Sequence, residues 1–225
     1  MTIHLTDLTR GKSAPAVSTH RHEHDLYRSF GKRTLDTFLV LLTSPITIPI
    51  IALLALAIAL TGQNPFYSQK RIGLNGDVFR MWKLRTMLPN AEQRLADYLD
   101  ANPEARDEWN SKQKLIHDPR VTPLGHILRK SSLDELPQFF NVLNGTMSLV
   151  GPRPMMVCQQ GDYAGSSYYE LRPGISGLWQ ISDRNESDFV GRVRFDELYN
   201  RKLSLGTDIK VMVCTIGVML RGTGC

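Results

Sequence analysis

From Thr37 to Thr61 the chain is almost wholly apolar, and no charged residue occurs between Thr37 and Gln69. As a helix the apolar run measures ~37 Å at ~1.5 Å per residue, enough to cross a bilayer core of ~30 Å. The chain is therefore expected at a membrane, with residues 34–62 as the inserted helix. Ser44-Pro45 and Pro49 interrupt the run near its middle, and each proline removes a backbone hydrogen bond. Arg28, Lys32 and Arg33 precede it, while Lys70, Arg71, Arg80, Lys83 and Arg85 follow. Basic flanks favour the cytoplasmic side, so cations at both ends suit a broken helix that dips in and returns. A straight span with its tail outside is the alternative, because proline is common in spanning helices.

On either side of that run the pattern changes. Residues 1–27 are polar and aperiodic and read as a mobile tail; its His20-x-His22-x-His24 is expected to be solvated rather than metal-bound. Phe79 to Met87 alternates as a strand does, which would put Lys83 and Arg85 on one face. Residues 90–118 are acidic and divide at Asn102-Pro103 into two solvent-facing helices. A further helix is expected with Thr122 as its cap, Pro123 as its first residue, and Leu124, Ile127 and Leu128 facing inward. Ser132-x-x-Glu135 fits a capping box, with Asp134 as an alternative cap that tolerates Pro137 better. Leu136, Phe139, Phe140 and Leu143 then repeat at the spacing of a core-facing helix that stops at Asn144-Gly145. In either capping scheme Asp134 and Glu135 sit at the positive end of a helix dipole, which favours their ionised forms.

Beyond this stretch, Arg172 to Gly177 is turn-rich and leads to a short strand or loop at Leu178–Ser182. Asp188 to Lys202 reads as a helix with Asp196-Glu197 on its polar side. Asp208 to Leu220 reads as one too short to span, lying in the core or in the membrane interface. The fold class is α+β, mostly helical: a re-entrant N-terminal membrane hairpin plus a small cytoplasmic catalytic domain with interfacial helices.

Charge sharpens the choice of partner. A net charge of +5 over 225 residues, with a pI near 9.2, calls for an anionic one: phosphate, lipid head groups or nucleic acid. The basic residues lack interleaved aromatic platforms, which argues against nucleic acid. Three widely spaced cysteines, Cys158, Cys214 and Cys225, indicate a reducing compartment and neither a disulfide framework nor a zinc site.

The densest chemistry lies between Arg129 and Pro154. An ionised aspartate can attack phosphorus if cations neutralise the electrophile and a rigid frame fixes the approach. Asp134 supplies the carboxylate and Gly151-Pro-Arg-Pro154 the frame. Lys83, Arg85, Arg129 and Arg153 are candidate cations, and Glu135 is an oxygen ligand for Mg²⁺.

Five blocks, Lys83-Leu-Arg-Thr-Met87, Asp118-Pro-Arg-Val-Thr122, Ser132-Leu-Asp-Glu-Leu-Pro-Gln138, Met147-Ser-Leu-Val-Gly-Pro-Arg-Pro154 and Arg172-Pro-Gly-Ile-Ser-Gly177, resemble the bacterial sugar transferases, also called monotopic phosphoglycosyl transferases. The resemblance covers residues 28–225, which it marks as the transferase domain. The short form and the closing Arg221-Gly-Thr-Gly-Cys225 look most like the exopolysaccharide-production branch. It implies transfer of a sugar 1-phosphate, galactose or glucose being guesses, from a UDP-sugar to polyprenyl phosphate with release of UMP, at the cytoplasmic face of a bacterial inner membrane. By the same resemblance Asp134 becomes a covalent phosphoglycosyl-aspartate and Glu135 holds Mg²⁺. Lys83, Arg85, Arg129, Arg153 and Arg184 contact substrate, Ser44-Pro45 breaks the membrane helix, and Asp196 is a supporting residue. Asp183, where relatives commonly carry glycine, and Thr146, where an acidic residue is frequent, depart from the pattern. Membrane lipids are further expected partners, and self-association is left open. The competing functions are a glycosyltransferase that releases UDP, for which no Asp-x-Asp motif is present, and a non-catalytic lipid-binding scaffold.

Overall fold

The computed structural model describes residues 26–112, 115–182 and 191–220. The histidine-bearing tail, Asp183, Arg184 and the closing five residues lie outside these. A wide helical turn, Tyr27–Gly31, leads into the long apolar helix α1, Lys32–Ala59. The interruption expected at Ser44-Pro45 lies within one continuous helix that also contains Pro49. Pro45 has no N–H to offer the Leu41 carbonyl one turn back; the Ser44 hydroxyl donates to that oxygen instead, at 2.7 Å. Most of α1 is exposed apolar surface, including Phe38, Leu42, Ile46, Ile48, Leu53 and Leu56, whereas Val40, Ile51 and Ile58 are buried.

Two antiparallel strands, β1 (Phe66–Ile72) and β2 (Val78–Leu84), follow as a hairpin. The acidic stretch forms two helices, α2 (Ala91–Ala101) and α3 (Pro103–Lys112), and no residue of α2 is buried. Thr122 caps α4 (Pro123–Lys130) by accepting from the Gly125 N–H at 2.9 Å, and Pro123 opens the helix as expected. Leu128 is buried but Ile127 is 64% exposed, so the inward face of α4 is narrower than its periodicity suggests.

The central stretch departs most from expectation. Ser132 is left-handed, with φ 56°, and its side chain caps nothing; a three-residue 3-10 turn, Leu133–Glu135, carries the carboxylates. Helix α5 starts only at Gln138 and runs to Leu143, with Pro137 at its cap. Its buried residues are Gln138, Asn141 and Val142, and Phe140 points outward. Asn141 explains this rotation: its amide donates to the Arg80 carbonyl at 2.8 Å and accepts from the Trp82 N–H at 3.0 Å, sealing the free edge of β2.

Strand β3 (Ser148–Val150) pairs in parallel with β5 (Gly174–Ser176), and β4 (Met155–Met156) adds to β1, giving the order β2-β1-β4. The two glycine-bearing motifs are thereby pressed backbone to backbone. A Cβ on Gly151 would lie 2.3 Å from the Arg172 carbonyl oxygen, and one on Gly177 would lie 2.1 Å from that of Gly151. Leu178–Ile181, expected as strand or loop, is a single helical turn, α6. Two helices close the fold, α7 (Arg192–Lys202) and α8 (Leu205–Leu220). Asp196 of α7 is buried, not on a polar side; it accepts from the Tyr163 hydroxyl at 3.0 Å. The largest cluster joins Leu178, Ile181, Phe195, Leu198, Tyr199 and Val211 from α6, α7 and α8.

Both ends of α1 rest on this same body. Val40 packs with Phe79, Met81, Val142 and Met147, and Ile58 packs with Leu84 and Leu128.

Candidate active site

Hairpin pairing sets the first wall. Residues opposite one another in an antiparallel pair share a face, and the register pairs Tyr67 with Lys83, Gln69 with Met81, and Arg71 with Phe79. Arg71, Met81 and Lys83 therefore look into one cleft, together with Glu135, Gln138, Arg153 and Pro154. The cleft is small and partly open to solvent.

Asp134 is 7% exposed at this wall. The Lys83 ammonium lies 3.8 Å from Asp134 Oδ2 and 2.7 Å from Glu135 Oε1, so one cation serves both carboxylates. Burial pushes the Asp134 carboxyl above the ordinary carboxylate range and the Glu135 charge adds to this, while Lys83 and Arg129 oppose it. The dipole argument is thus outweighed, because a three-residue 3-10 turn supplies little dipole and burial dominates.

Arg129 stands behind the carboxylate rather than in the cleft, its Nε donating to Thr86 Oγ1 at 2.9 Å. Arg85 does not line the cleft with Lys83: its Nε turns to the Asn64 carbonyl at 2.7 Å, with its guanidinium over the Tyr67 ring. Arg85 instead borders a second, mainly apolar hollow beside Ile58, Thr61 and Leu124. Arg184 lies outside the described residues.

Arg153 of the Gly151-Pro-Arg-Pro154 segment lines the same cleft as Glu135 and lies over Trp179, its guanidinium carbon 5.6 Å from the ring centre. Arg192 stacks on the same ring at 5.3 Å and donates to the Arg153 carbonyl at 2.6 Å. Arg71, Trp179 and Arg192 escaped the reading of the sequence. Only Arg71 left a signal there: registering the hairpin about its Gly73–Asp77 turn would have put it on the face of Lys83.

The assembled site brings an acid pair and the cations Lys83, Arg71 and Arg153 to one cleft, an arrangement that suits a phosphate group. Among the described residues no group of three His, Cys, Asp or Glu side chains is placed to cage a metal. The adjacent carboxylates fit a Mg²⁺ of another kind, one held by a single protein oxygen, waters and substrate phosphates.

A family model described as bacterial sugar transferase matches residues 27–222. The chain is 42% identical over 197 residues to the UDP-galactose-lipid carrier transferase of Erwinia amylovora, covering 87% of this chain and 41% of that protein. It is 41% identical over 199 residues to the exopolysaccharide production protein ExoY of Rhizobium meliloti, covering 86% and 87%. It is 36% identical over 196 residues to the UDP-glucose:undecaprenyl-phosphate glucose-1-phosphate transferase of Escherichia coli, covering 82% and 39%. The chain thus spans about two-fifths of the longer relatives' length.

Proposed function

The chain belongs to the bacterial sugar transferase family, and we propose that it moves a sugar 1-phosphate from a UDP-sugar to polyprenyl phosphate, releasing UMP. The observation that carries this reading is buried Asp134, 3.8 Å from Lys83, whose ammonium lines a cleft together with Glu135 and Arg153. A carboxylate in that position can attack the sugar-bearing phosphorus of the nucleotide. The new Asp134 O–P bond forms as the bond to the UMP oxygen breaks, and UMP leaves with the electron pair. An oxygen of the lipid phosphate then attacks the same phosphorus, and the Asp134 O–P bond breaks to restore the carboxylate. Lys83 and Arg153 offset the charge that gathers at phosphorus in both steps. Glu135 would hold a Mg²⁺, which supplies further neutralisation of the phosphates when bound. The relatives' names support galactose or glucose as the sugar.

Placement at the membrane follows the same logic. Val40 and Ile58 are about 27 Å apart along α1, close to the thickness of a bilayer core, yet both pack on one body. A straight span would draw that body into the bilayer. A helix that enters and returns keeps it on one face, where a soluble nucleotide-sugar can meet a lipid phosphate. We assign that face to the cytoplasmic side of the inner membrane because basic residues flank both ends of the helix.

Membranes containing the protein, given a panel of UDP-sugars with polyprenyl phosphate and Mg²⁺, should release UMP. Release of UDP would reject the reaction in favour of simple glycosyl transfer. Asp134→Asn should abolish UMP release while the protein stays in the membrane fraction; full activity in that variant would reject the nucleophile.

A further inference from the structure

The cations of the cleft are not equally matched. Lys83 is paired with Glu135 and Asp134. Arg71, further along the same hairpin face, and Arg153 also line the cleft, and among the described residues neither has a carboxylate within ion-pair distance. The frame holds Arg71 firmly: one terminal nitrogen donates to the Pro154 carbonyl at 3.1 Å and the other to Gln69 Oε1 at 2.7 Å. A guanidinium has five N–H donors, so three remain, and the buried Nε has no hydrogen-bond acceptor. Burial and the neighbouring Arg153 and Arg192 charges hold the Arg71 guanidinium down to about 10. Crowded, half-buried like charges of this kind repel one another and are relieved when an anion arrives.

We infer that Arg71 is a substrate-binding residue: with Arg153 it clamps the diphosphate of the nucleotide-sugar at the end of the cleft away from the Lys83–Glu135 pair. The inference rests on the nucleotide-sugar reading above and adds to it a residue, a direction and a selectivity. A nucleotide-sugar diphosphate carries two negative charges, and two forked guanidiniums meet them with directed donors. Carbonyls of consecutive residues orient the arginines, Pro154 receiving Arg71 and Arg153 receiving Arg192. Trp179, stacked under both Arg153 and Arg192, keeps Arg153 turned toward the cleft. The phosphates are thereby held by two unmatched guanidiniums in the cleft that Lys83 and Glu135 also line.

The test titrates full-length wild type, Arg71→Gln and Arg71→Lys, in detergent or nanodiscs, with UDP and with uridine, and records each unfolding midpoint. Arg71→Gln keeps an amide that can donate to Pro154 but loses the charge; Arg71→Lys keeps the charge but loses the fork. UDP affinity should fall at least tenfold in Arg71→Gln and severalfold in Arg71→Lys, with uridine affinity unchanged. The KM for UDP-sugar should rise while that for polyprenyl phosphate stays put. UDP binding within twofold of wild type in folded Arg71→Gln overturns the clamp and leaves Arg71 as a staple of the frame. If that variant does not fold, Arg71→Lys decides by the same threshold. Arg71-dependent UDP binding by a wild type that releases no UMP would reject the transfer reaction and leave the clamp standing. UMP release with an unaltered KM in the variants would do the reverse.

Discussion

Replacing Lys83 by methionine keeps most of the apolar stem and removes the one cation that touches both carboxylates. Asp134 must be ionised to attack, yet burial already pushes its carboxyl upward, and Lys83 is among the groups that resist this. Two unit charges at the observed 3.8 Å interact by roughly 4 kcal/mol at an effective dielectric constant of 20. The Lys83 side chain is 24% exposed and is shared with Glu135, so a fraction of that energy reaches Asp134. A loss of about 1.4 kcal/mol, or one pKa unit, is a conservative expectation. Activity belongs to the ionised form, so raising the pKa moves the acid limb of kcat/KM to higher pH by about one unit. Lys83→Met should therefore be most impaired below neutral pH and regain part of its deficit above it. UMP release measured from pH 5.5 to 9 supplies the profile. A deficit of constant size at every pH would show that Lys83 does not set the charge of Asp134, and the electrostatic reasoning would fail.

Gly151→Ala should destabilise the frame by about 2–3 kcal/mol, as overpacking does, because the new Cβ would meet the Arg172 carbonyl, a backbone atom that cannot swing aside; an unchanged unfolding midpoint would contradict the packing. Asp196 is pushed up to about 6 from its ordinary 3.8, chiefly by burial and against the Tyr163 hydrogen bond and Arg192. Between those values the folded state binds more protons than the unfolded one, so this group's contribution to stability is present at low pH and is lost as pH rises through 6. Asp196→Asn should accordingly gain about 2 kcal/mol relative to wild type from pH 4 to pH 7, less than the full span because the unfolded group is already more than half ionised at pH 4. Denaturant unfolding at the two pH values checks it, and a pH-independent difference would rule it out.

The parts of the fold legible in the sequence were those with local causes. Thr122 and Pro123 start α4 through contacts within one turn, and the solvated acidic helices needed only composition and Asn102-Pro103. Lys83 was legible by alternation, but Arg85 was not, because the end of a strand is set by pairing with the other strand rather than by its own residues. Ser132 matched a capping box, yet a left-handed backbone at that residue turns its side chain away from the helix start. Asn141 outweighed the phenylalanine periodicity of α5 by sealing the β2 edge, a requirement that exists only after the sheet has formed. Asp134, Glu135 and Arg153 stood out because that acid pair follows two basic residues and two hydroxyls within seven positions and Gly-Pro-Arg-Pro holds its arginine in a stiff segment. Arg71 read only as one of the cations flanking the membrane segment and Trp179 as part of a short strand or loop, and only tertiary contact brings them to the site.

The root of the membrane helix touches both halves of the reaction centre. Arg33 donates to the carbonyls of Val142 and Leu143, which end the helix that starts just after Asp134-Glu135. One turn further, Asp36 accepts from the Ser148 hydroxyl at 2.6 Å and from the Leu149 N–H at 3.3 Å, in the strand that runs into Gly151-Pro-Arg-Pro154. The carboxylate wall and the arginine wall are thus referenced to neighbouring turns of a single helix. Buried polar contacts of this kind are costly to leave unmade. Displacing the first turns of α1 would therefore disturb the spacing of Asp134 and Arg153 together. On the proposed function, the helix assigned to the bilayer also fixes how far the proposed nucleophile stands from the proposed phosphate clamp, which would tie the geometry of the chemistry to the membrane surface.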